Sequence, residues 1–327
     1  MNAFAYLYFR IGNISKAEQI YSHAYELATK HRLPTSAAEA LIGLAGIALD
    51  RVLIPEAEAI LKRVLSEYNE SLTTCLRAHA LLRLGHAYAA QLKLEIACQT
   101  IEQACALYRQ IGEKRFLALA LNALGSLKIK VGDIKHAEYL IKESLDLLID
   151  INDKVFLAYA LLRLGDLHME HKKYEDAKSI YYESINISKN NYIIPAQRAA
   201  LRRLGELYYL RRQYRMARRM FKEACMLANE QDSAYTALSI EKIWYAFLND
   251  SLNEAKHLLL QYIEYSLERR TFSSLDSILI LLSLIYKKQR CYQVSYKLLK
   301  FSTTIGKTKK YKSILYKIKM KINRNDN

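Results

Sequence analysis

Along most of the chain, apolar residues fall three and four positions apart, the spacing of a helix with one buried face and not the alternation of a strand. That pattern is itself repeated. Ala40-Leu41-Ile42-Gly43-Leu44-Ala45 returns as Ala80-Leu81-Leu82-Arg83-Leu84-Gly85, Ala120-Leu121-Asn122-Ala123-Leu124-Gly125, Ala160-Leu161-Leu162-Arg163-Leu164-Gly165 and Ala200-Leu201-Arg202-Arg203-Leu204-Gly205, each 40 residues after the last. A second marker keeps the same step: Ala17, Ala57, Ala97, Ala137, Ala177 and Ala217, followed four residues on by Tyr21, Leu61, Ile101, Ile141, Tyr181 and Phe221. Breakers such as Gly12-Asn13, Gly132-Asp133 and Lys172-Lys173 separate the helices. Each repeat therefore reads as helix A, turn, helix B.

The small residues have a mechanical purpose. Gly85, Gly125, Gly165 and Gly205 let helix A approach its partner, and the recurring alanine does the same from helix B. A glycine within a helix costs about 1 kcal/mol against alanine, so its repeated use implies that close packing returns more.

The order Leu, three on Leu-Gly, three on Tyr, nine on Ala, four on a large apolar residue and three on a small one resembles the tetratricopeptide repeat. One copy reads Leu81, Leu84, Gly85, Tyr88, Ala97, Ile101, Ala104, and another Leu201, Leu204, Gly205, Tyr208, Ala217, Phe221, Ala224. The chain departs from that family in lacking the first-position tryptophan and the closing proline. Its period is also longer than the family's usual length of about 34, and the extra residues are expected to lengthen the helices around Gly112 and Asn152-Asp153. This longer form is similar to the repeats of G-protein signalling modulators, kinesin light chains and MalT-like regulators.

The resemblance implies an all-α fold, a right-handed superhelical solenoid of antiparallel helix pairs with about seven hairpins and a C-terminal capping helix. Repeats are expected over about 1–30, 34–70, 74–111, 114–151, 154–191, 195–230, 233–268 and 272–303. The first starts inside helix A, with Phe4, Ala5, Tyr8, Ala17, Tyr21 and Ala24 in register. Ala255 and Leu259 mark a weakened later hairpin, and Leu282, Tyr286 and Leu299 a fainter one. The repeat domain spans 1–306. Residues 307–327 form a basic closing helix, with Tyr311, Leu315, Ile318 and Ile322 on one face.

Composition agrees with helices: 51% of residues are hydrophobic and 25% charged, with ten glycines and three prolines. No G-x-x-x-x-G-K-[ST], G-x-S-x-G or H-E-x-x-H is present, so an enzyme is not expected and no cofactor is implied. His168, Glu170 and His171 lie close together, but His168 takes the place of Tyr88 and Tyr208 and is read as packing, not as a metal ligand. His79 and His86 stand two helical turns apart, too far to share an ion. The five cysteines (Cys75, Cys98, Cys105, Cys225, Cys291) lack paired spacing and read as buried small hydrophobes. The first residues lack the pattern of a secretory signal, and the longest apolar run, Leu275 to Tyr286, is too short to span a bilayer. A cytoplasmic location is expected.

Family resemblance places ligand contacts on helix A, before and after the Leu-Gly pair. Those places hold Arg83, Asn122, Arg163, Arg202 and Arg203, then His86, Ser126, Asp166 and Glu206. Arginines there could clamp a carboxylate through forked hydrogen bonds. Alternatively Arg163 pairs with Asp166, and Arg202 or Arg203 with Glu206, and the row is a solvated wall. Beyond it Arg211, Arg212, Arg215, Arg218 and Arg219 form a basic flank interleaved with Tyr208, Tyr209 and Tyr214.

The formal net charge is +16, and Lys287 to Arg324 holds thirteen basic residues and no acid. Such a surface favours acidic partners. The leading expectation is a scaffold or adaptor that holds an acidic peptide or a partner subunit. The alternatives are a ligand- or peptide-sensing arm of a MalT-like regulator, and nucleic-acid binding through the basic regions.

Overall fold

The computed structural model describes residues 1–10, 13–227, 239–269, 271, 275–290, 293–294 and 296–298. Helix follows helix: α1 (Asn2–Arg10), α2 (Ile14–Lys30), α3 (Pro34–Asp50), α4 (Ile54–Glu67), α5 (Thr74–Ala90), α6 (Leu94–Gln110), α7 (Lys114–Val131) and α8 (Ile134–Asp150). Then come α9 (Lys154–Glu170), α10 (Tyr174–Asn190), α11 (Ile194–Leu210), α12 (Tyr214–Met226), α13 (Ile240–Leu248), α14 (Leu252–Glu268) and α15 (Leu275–Lys288). No strand occurs among the described residues. The predicted closing helix, Leu299, Cys291 and Gly12 lie outside them.

Helices α3, α5, α6 and α8 to α11 are each 17 residues long. Three-residue turns join most of them, so two helices and two turns make up the 40-residue period. The extra length relative to the family's usual repeat thus resides in the helices. Asn13, Thr73, Asp133 and Asp153 cap helix starts by accepting hydrogen bonds from backbone N–H groups two or three residues on. All three prolines, Pro34, Pro55 and Pro195, occupy first turns, where no N–H is needed.

Apart from the junction between α4 and α5, where a 3-10 turn at Asn69–Ser71 intervenes, the described turns of both kinds, A to B and B to A, use one device. The middle residue is left-handed: Arg32 (φ 54°), Val52 (59°), Leu92 (58°), Asn152 (51°), Lys172 (58°), Tyr192 (56°), Arg212 (59°), with Gly112 (71°) and Gly132 (85°) in the same role. The next N–H then reaches back to the carbonyl five residues earlier, as in Leu53 to Ala48 (2.7 Å), Lys93 to Tyr88 (3.0 Å) and Ile193 to Ser188 (2.8 Å). Most of these positions are not glycine, which is why turn residues alone marked so few of the boundaries.

Two compact units result, one comprising Met1–Lys128 and the other beginning at Ile129. In each, consecutive helices pack as antiparallel pairs, and α3 also meets α5 in the first while α9 meets α11 in the second. The marker alanines Ala17, Ala57, Ala97, Ala137, Ala177 and Ala217 are all 0% exposed, as is Ala255. Tyr21, Leu61, Ile101, Ile141, Tyr181 and Phe221 are buried beside them. Each such side chain removed from water contributes about 1.5–3 kcal/mol.

The helix A glycines receive those side chains. A Cβ on Gly85 would lie 2.3 Å from Ile101 Cγ1, one on Gly165 2.3 Å from Tyr181 Cε1, and one on Gly205 2.9 Å from Phe221 Cε2. The close approach expected from sequence is therefore a knob seated directly on the glycine backbone. Leu282 and Tyr286, the faint late markers, are also buried.

The cysteines do not all behave as core residues. Cys98 and Cys105 are buried, whereas Cys75 and Cys225 are only half-buried. Cys75 sits in the first turn of α5, where the helix has not yet entered the packed layer. No helix among the described residues is long and apolar enough to cross a membrane.

Candidate functional site

In the second unit, the predicted A-helix residues form a connected ionic network. Asp166 of α9 accepts a hydrogen bond from Arg203 of α11, with Nη2 at 3.4 Å from Oδ2, and has the Arg203 Nε at ion-pair distance, 3.0 Å from its Oδ1. It also accepts from Arg163 Nη1 (2.9 Å) and the Tyr181 hydroxyl (3.0 Å). Arg203 Nη1 donates to Glu206 (3.0 Å), which pairs with Arg202 as well (3.1 Å). Arg202 Nε then lies 3.3 Å from Glu241 of α13, whose other oxygen is 3.9 Å from Arg198.

Burial alone would raise the Asp166 carboxyl, but Arg203, Arg163, Tyr181 and Arg202 outweigh it and hold the group below the usual carboxylate range. The attraction of Asp166 in turn pushes the Arg203 guanidinium well above its ordinary value. Burial, then the Asp166 charge, raises the Tyr181 phenol. Arg163, Arg202 and Arg203 are thus neutralised by their own chain. Sequence spacing foresaw the pairs three and four residues apart. It did not foresee Tyr181, Arg198 or Glu241, which join through the packing of neighbouring helices.

The first unit differs. Arg83 of α5 makes no hydrogen bond or ion pair with any described residue; Tyr21, Asp50, Tyr108 and Tyr6 act on it at longer range. Its guanidinium lies on Gly46 of α3, so close that a Cβ there would be 1.6 Å from Nη1. Burial lowers its affinity for the proton. Burial, then the charge of Arg83, depresses His79 and His86 to about 4, so both imidazoles are neutral at pH 7. His79 packs edge-on against Phe116, and its Nε2 and the Tyr108 hydroxyl are buried without a hydrogen-bond partner among the described residues. Asn122 is buried with no hydrogen-bond partner for Oδ1 among the described residues, while Ser126 is half-buried.

Arg211, Arg212, Arg215, Arg218 and Arg219 are all exposed. Arg211 lies over the Tyr174 ring and 4.0 Å from Glu175, Arg218 donates to Asn249 (3.5 Å), and Arg219 donates to Glu223 (2.8 Å). The interleaved aromatics are mostly occupied. Tyr208 is buried with its hydroxyl on Tyr182 (2.9 Å), and Tyr209 packs on Trp244, leaving Tyr214 half exposed. His168 lies 3.6 Å from Asp176, and no cluster of metal-ligating residues exists among the described residues.

Helix pairs of this length, alanine and glycine at the seams, and an A-helix row of polar groups define a tetratricopeptide-like repeat protein. Within that class, the chain belongs to the family described as anaphase-promoting complex subunit 5, whose model matches residues 61–131, 126–192, 197–252 and 244–324. No curated protein matches the chain in sequence.

Among solved structures, a Rap protein complexed with competence and sporulation factor is similar at TM-score 0.73 and 11% identity, covering 95% of this chain and 80% of that one. The Rap conjugation gene regulator of plasmid pLS20, in complex with the Phr* peptide, matches at TM-score 0.71 and 15% identity, covering 89% and 78%. Aspartyl phosphate phosphatase F from Bacillus subtilis matches at TM-score 0.65 and 11% identity, covering 87% and 74%. At these identities the likeness is one of fold.

Proposed function

We propose that this chain is a non-enzymatic binding protein of the cytoplasm that holds an acidic peptide, or an acidic segment of a partner subunit, along its A helices. The observation that carries this reading is the chemistry of one register. Outside the apolar contacts that join the repeats, three A helices, α5, α9 and α11, place charged and polar side chains at equivalent positions, Arg83 and His86, Arg163 and Asp166, and Arg203 and Glu206, while α7 has Ala123 and Ser126 there. Arginine forks fit carboxylates, and repeat stacks characteristically offer partners such side-chain rows. Two proteins of similar fold are described as peptide complexes, which supports the reading.

Selection of displayed peptides on the intact chain tests it. Enrichment of peptides rich in Asp and Glu, competed by free peptide, is expected; recovery of none, or of basic peptides, would refute it.

A second reading, a ligand-sensing regulatory arm, draws on the likeness to a protein described as a conjugation gene regulator. It requires peptide binding to alter the amide-exchange protection of the helices, whereas a passive scaffold gains protection only at the contact residues. Nucleic-acid binding is less well supported, because Tyr208 and Tyr209 are committed to packing and cannot stack on bases.

A further inference from the structure

Arg203 and Arg83 occupy equivalent places three repeats apart, and the residues facing them decide what each can do. Arg203 meets two acids: Asp166, 37 residues back on the preceding A helix, and Glu206, three residues on along its own helix. Arg163 likewise has Asp166 three residues on. For Arg83, the same 37-residue step back is Gly46, and the residue three on is His86. Both carboxylates that satisfy Arg203 are thus replaced, one by a glycine without a side chain and the other by a neutral imidazole.

A half-buried guanidinium without a paired acid is costly, since desolvation weakens its hydration and no contact among the described residues replaces it. Asp50 acts on it from beyond ion-pair distance. The unpartnered Nε2 of His79 and hydroxyl of Tyr108 belong to the same neighbourhood: His79 feels the Arg83 charge, and Tyr108 acts on Arg83. Several polar groups are therefore short of partners at one place.

We propose that Arg83 is the anchor for a carboxylate supplied from outside, the C-terminus or an acidic side chain of a bound peptide, in the role that Asp166 and Glu206 play for Arg203. This rests on the peptide-binding reading above and names the residue at its centre. Gly46 seats the guanidinium, whose donors have no hydrogen-bond partner among the described residues and suit a forked pair of charge-assisted hydrogen bonds to a carboxylate. Arg163 and Arg203, in contrast, are already paired with acids of their own chain.

The test measures fluorescence anisotropy of a labelled Glu-Ala-Glu-Ala-Glu-Ala peptide against the intact chain at fixed ionic strength, with three companion forms. One is amidated at its C-terminus, one carries Gln for every Glu, and one carries both changes. Arg83→Gln is expected to weaken binding about tenfold or more, the loss of hydrogen bonds to a charged group. His86→Glu keeps Arg83 but installs an internal acid three residues on, as Glu206 is to Arg203, and should weaken binding to a similar degree with thermal stability kept or raised. Arg63→Gln, on the B helix α4 where Arg63 pairs with Glu67, serves as the control and should bind within about twofold of wild type.

Loss on amidation alone assigns the peptide C-terminus as the occupant, and loss on Glu-to-Gln exchange alone assigns a side chain. Binding that survives both Arg83→Gln and His86→Glu, or that is lost equally in Arg63→Gln, refutes the anchor while leaving the peptide reading intact. A wild-type chain that binds none of these peptides, or binds the doubly neutral one equally well, refutes both. If Arg83→Gln fails to fold, His86→Glu alone decides the matter.

Discussion

The ring of Phe221 in α12 stacks on that of Trp244 in α13, with centroids 5.2 Å apart and planes 3° from parallel. Phe221 is fully buried, seated on Gly205 at its other side, and Trp244 is the sole tryptophan in the chain. One side chain thus fastens its own hairpin and the following one. Phe221→Ala is expected to cost about 3–5 kcal/mol, and the freed indole should report it as a red-shifted emission and a lower urea midpoint.

The glycine seats predict the opposite of what helix propensity says. Gly85→Ala should gain about 1 kcal/mol from propensity alone, yet its methyl would collide with the fully buried Ile101. Overpacking of this kind costs about 1–3 kcal/mol. A lowered melting temperature by circular dichroism is expected, partly restored by adding Ile101→Val. A rise in Gly85→Ala would show that the seam is loose.

Tyr192 adopts φ 56° with its side chain 88% exposed, so it bears left-handed strain and gains little packing. Such a residue costs about 1 kcal/mol or more, offset in part by the freedom that glycine loses on folding, about 0.5–1 kcal/mol. Tyr192→Gly should therefore leave stability unchanged or raise it, and Tyr192→Val should lower it. The ordering of the two urea midpoints is the measurement.

The two imidazoles beside Arg83 set a pH dependence. Their folded values, about 4, lie below the ordinary 6.5, so the folded state resists a proton that the unfolded chain accepts. Stability from this source is complete above about pH 6.5 and drains away as the pH falls toward 4. Urea midpoints should drop between pH 7 and pH 5, and His79→Gln with His86→Gln should flatten that drop.

Asp166 is the keystone of the other network. Removing one partner of a fully buried ion pair costs about 3–5 kcal/mol; the side chains of Arg163 and Arg203 are about a third exposed, so Asp166→Asn should cost less than that. In acid, its depressed carboxyl loses its contribution only as the pH falls through its folded value, below the ordinary carboxylate range. Thermal melts of the variant at pH 7 should resemble those of wild type under strong acid more than those of wild type at neutrality.

What the sequence revealed followed from locality. The 40-residue recurrence, the buried alanines and the pairing of Arg163 with Asp166 all depend on residues of one helix or one hairpin, where periodicity fixes who faces whom. The turns were half hidden because Val52, Leu92 and Tyr192 adopt a conformation that only Gly112, Gly132 and Asn152 advertise. The candidate site was hidden in its meaning and not in its members. Arg83 and Arg203 look alike in the repeat, and they part company through Gly46 and Asp166, which lie on another helix 37 residues away.

The matching joints carry a further consequence. Since the bend after an A helix and the bend after a B helix share one shape and one bonding scheme, inserting or excising a whole pair returns the strand to its former heading with no fresh corner to invent. Adding a lone helix would reverse the direction of everything downstream and turn a seam outward. Length changes that keep the seams buried therefore come in whole pairs, and the chemistry of an individual A helix, such as the glycine beneath Arg83, is separable from the number of pairs.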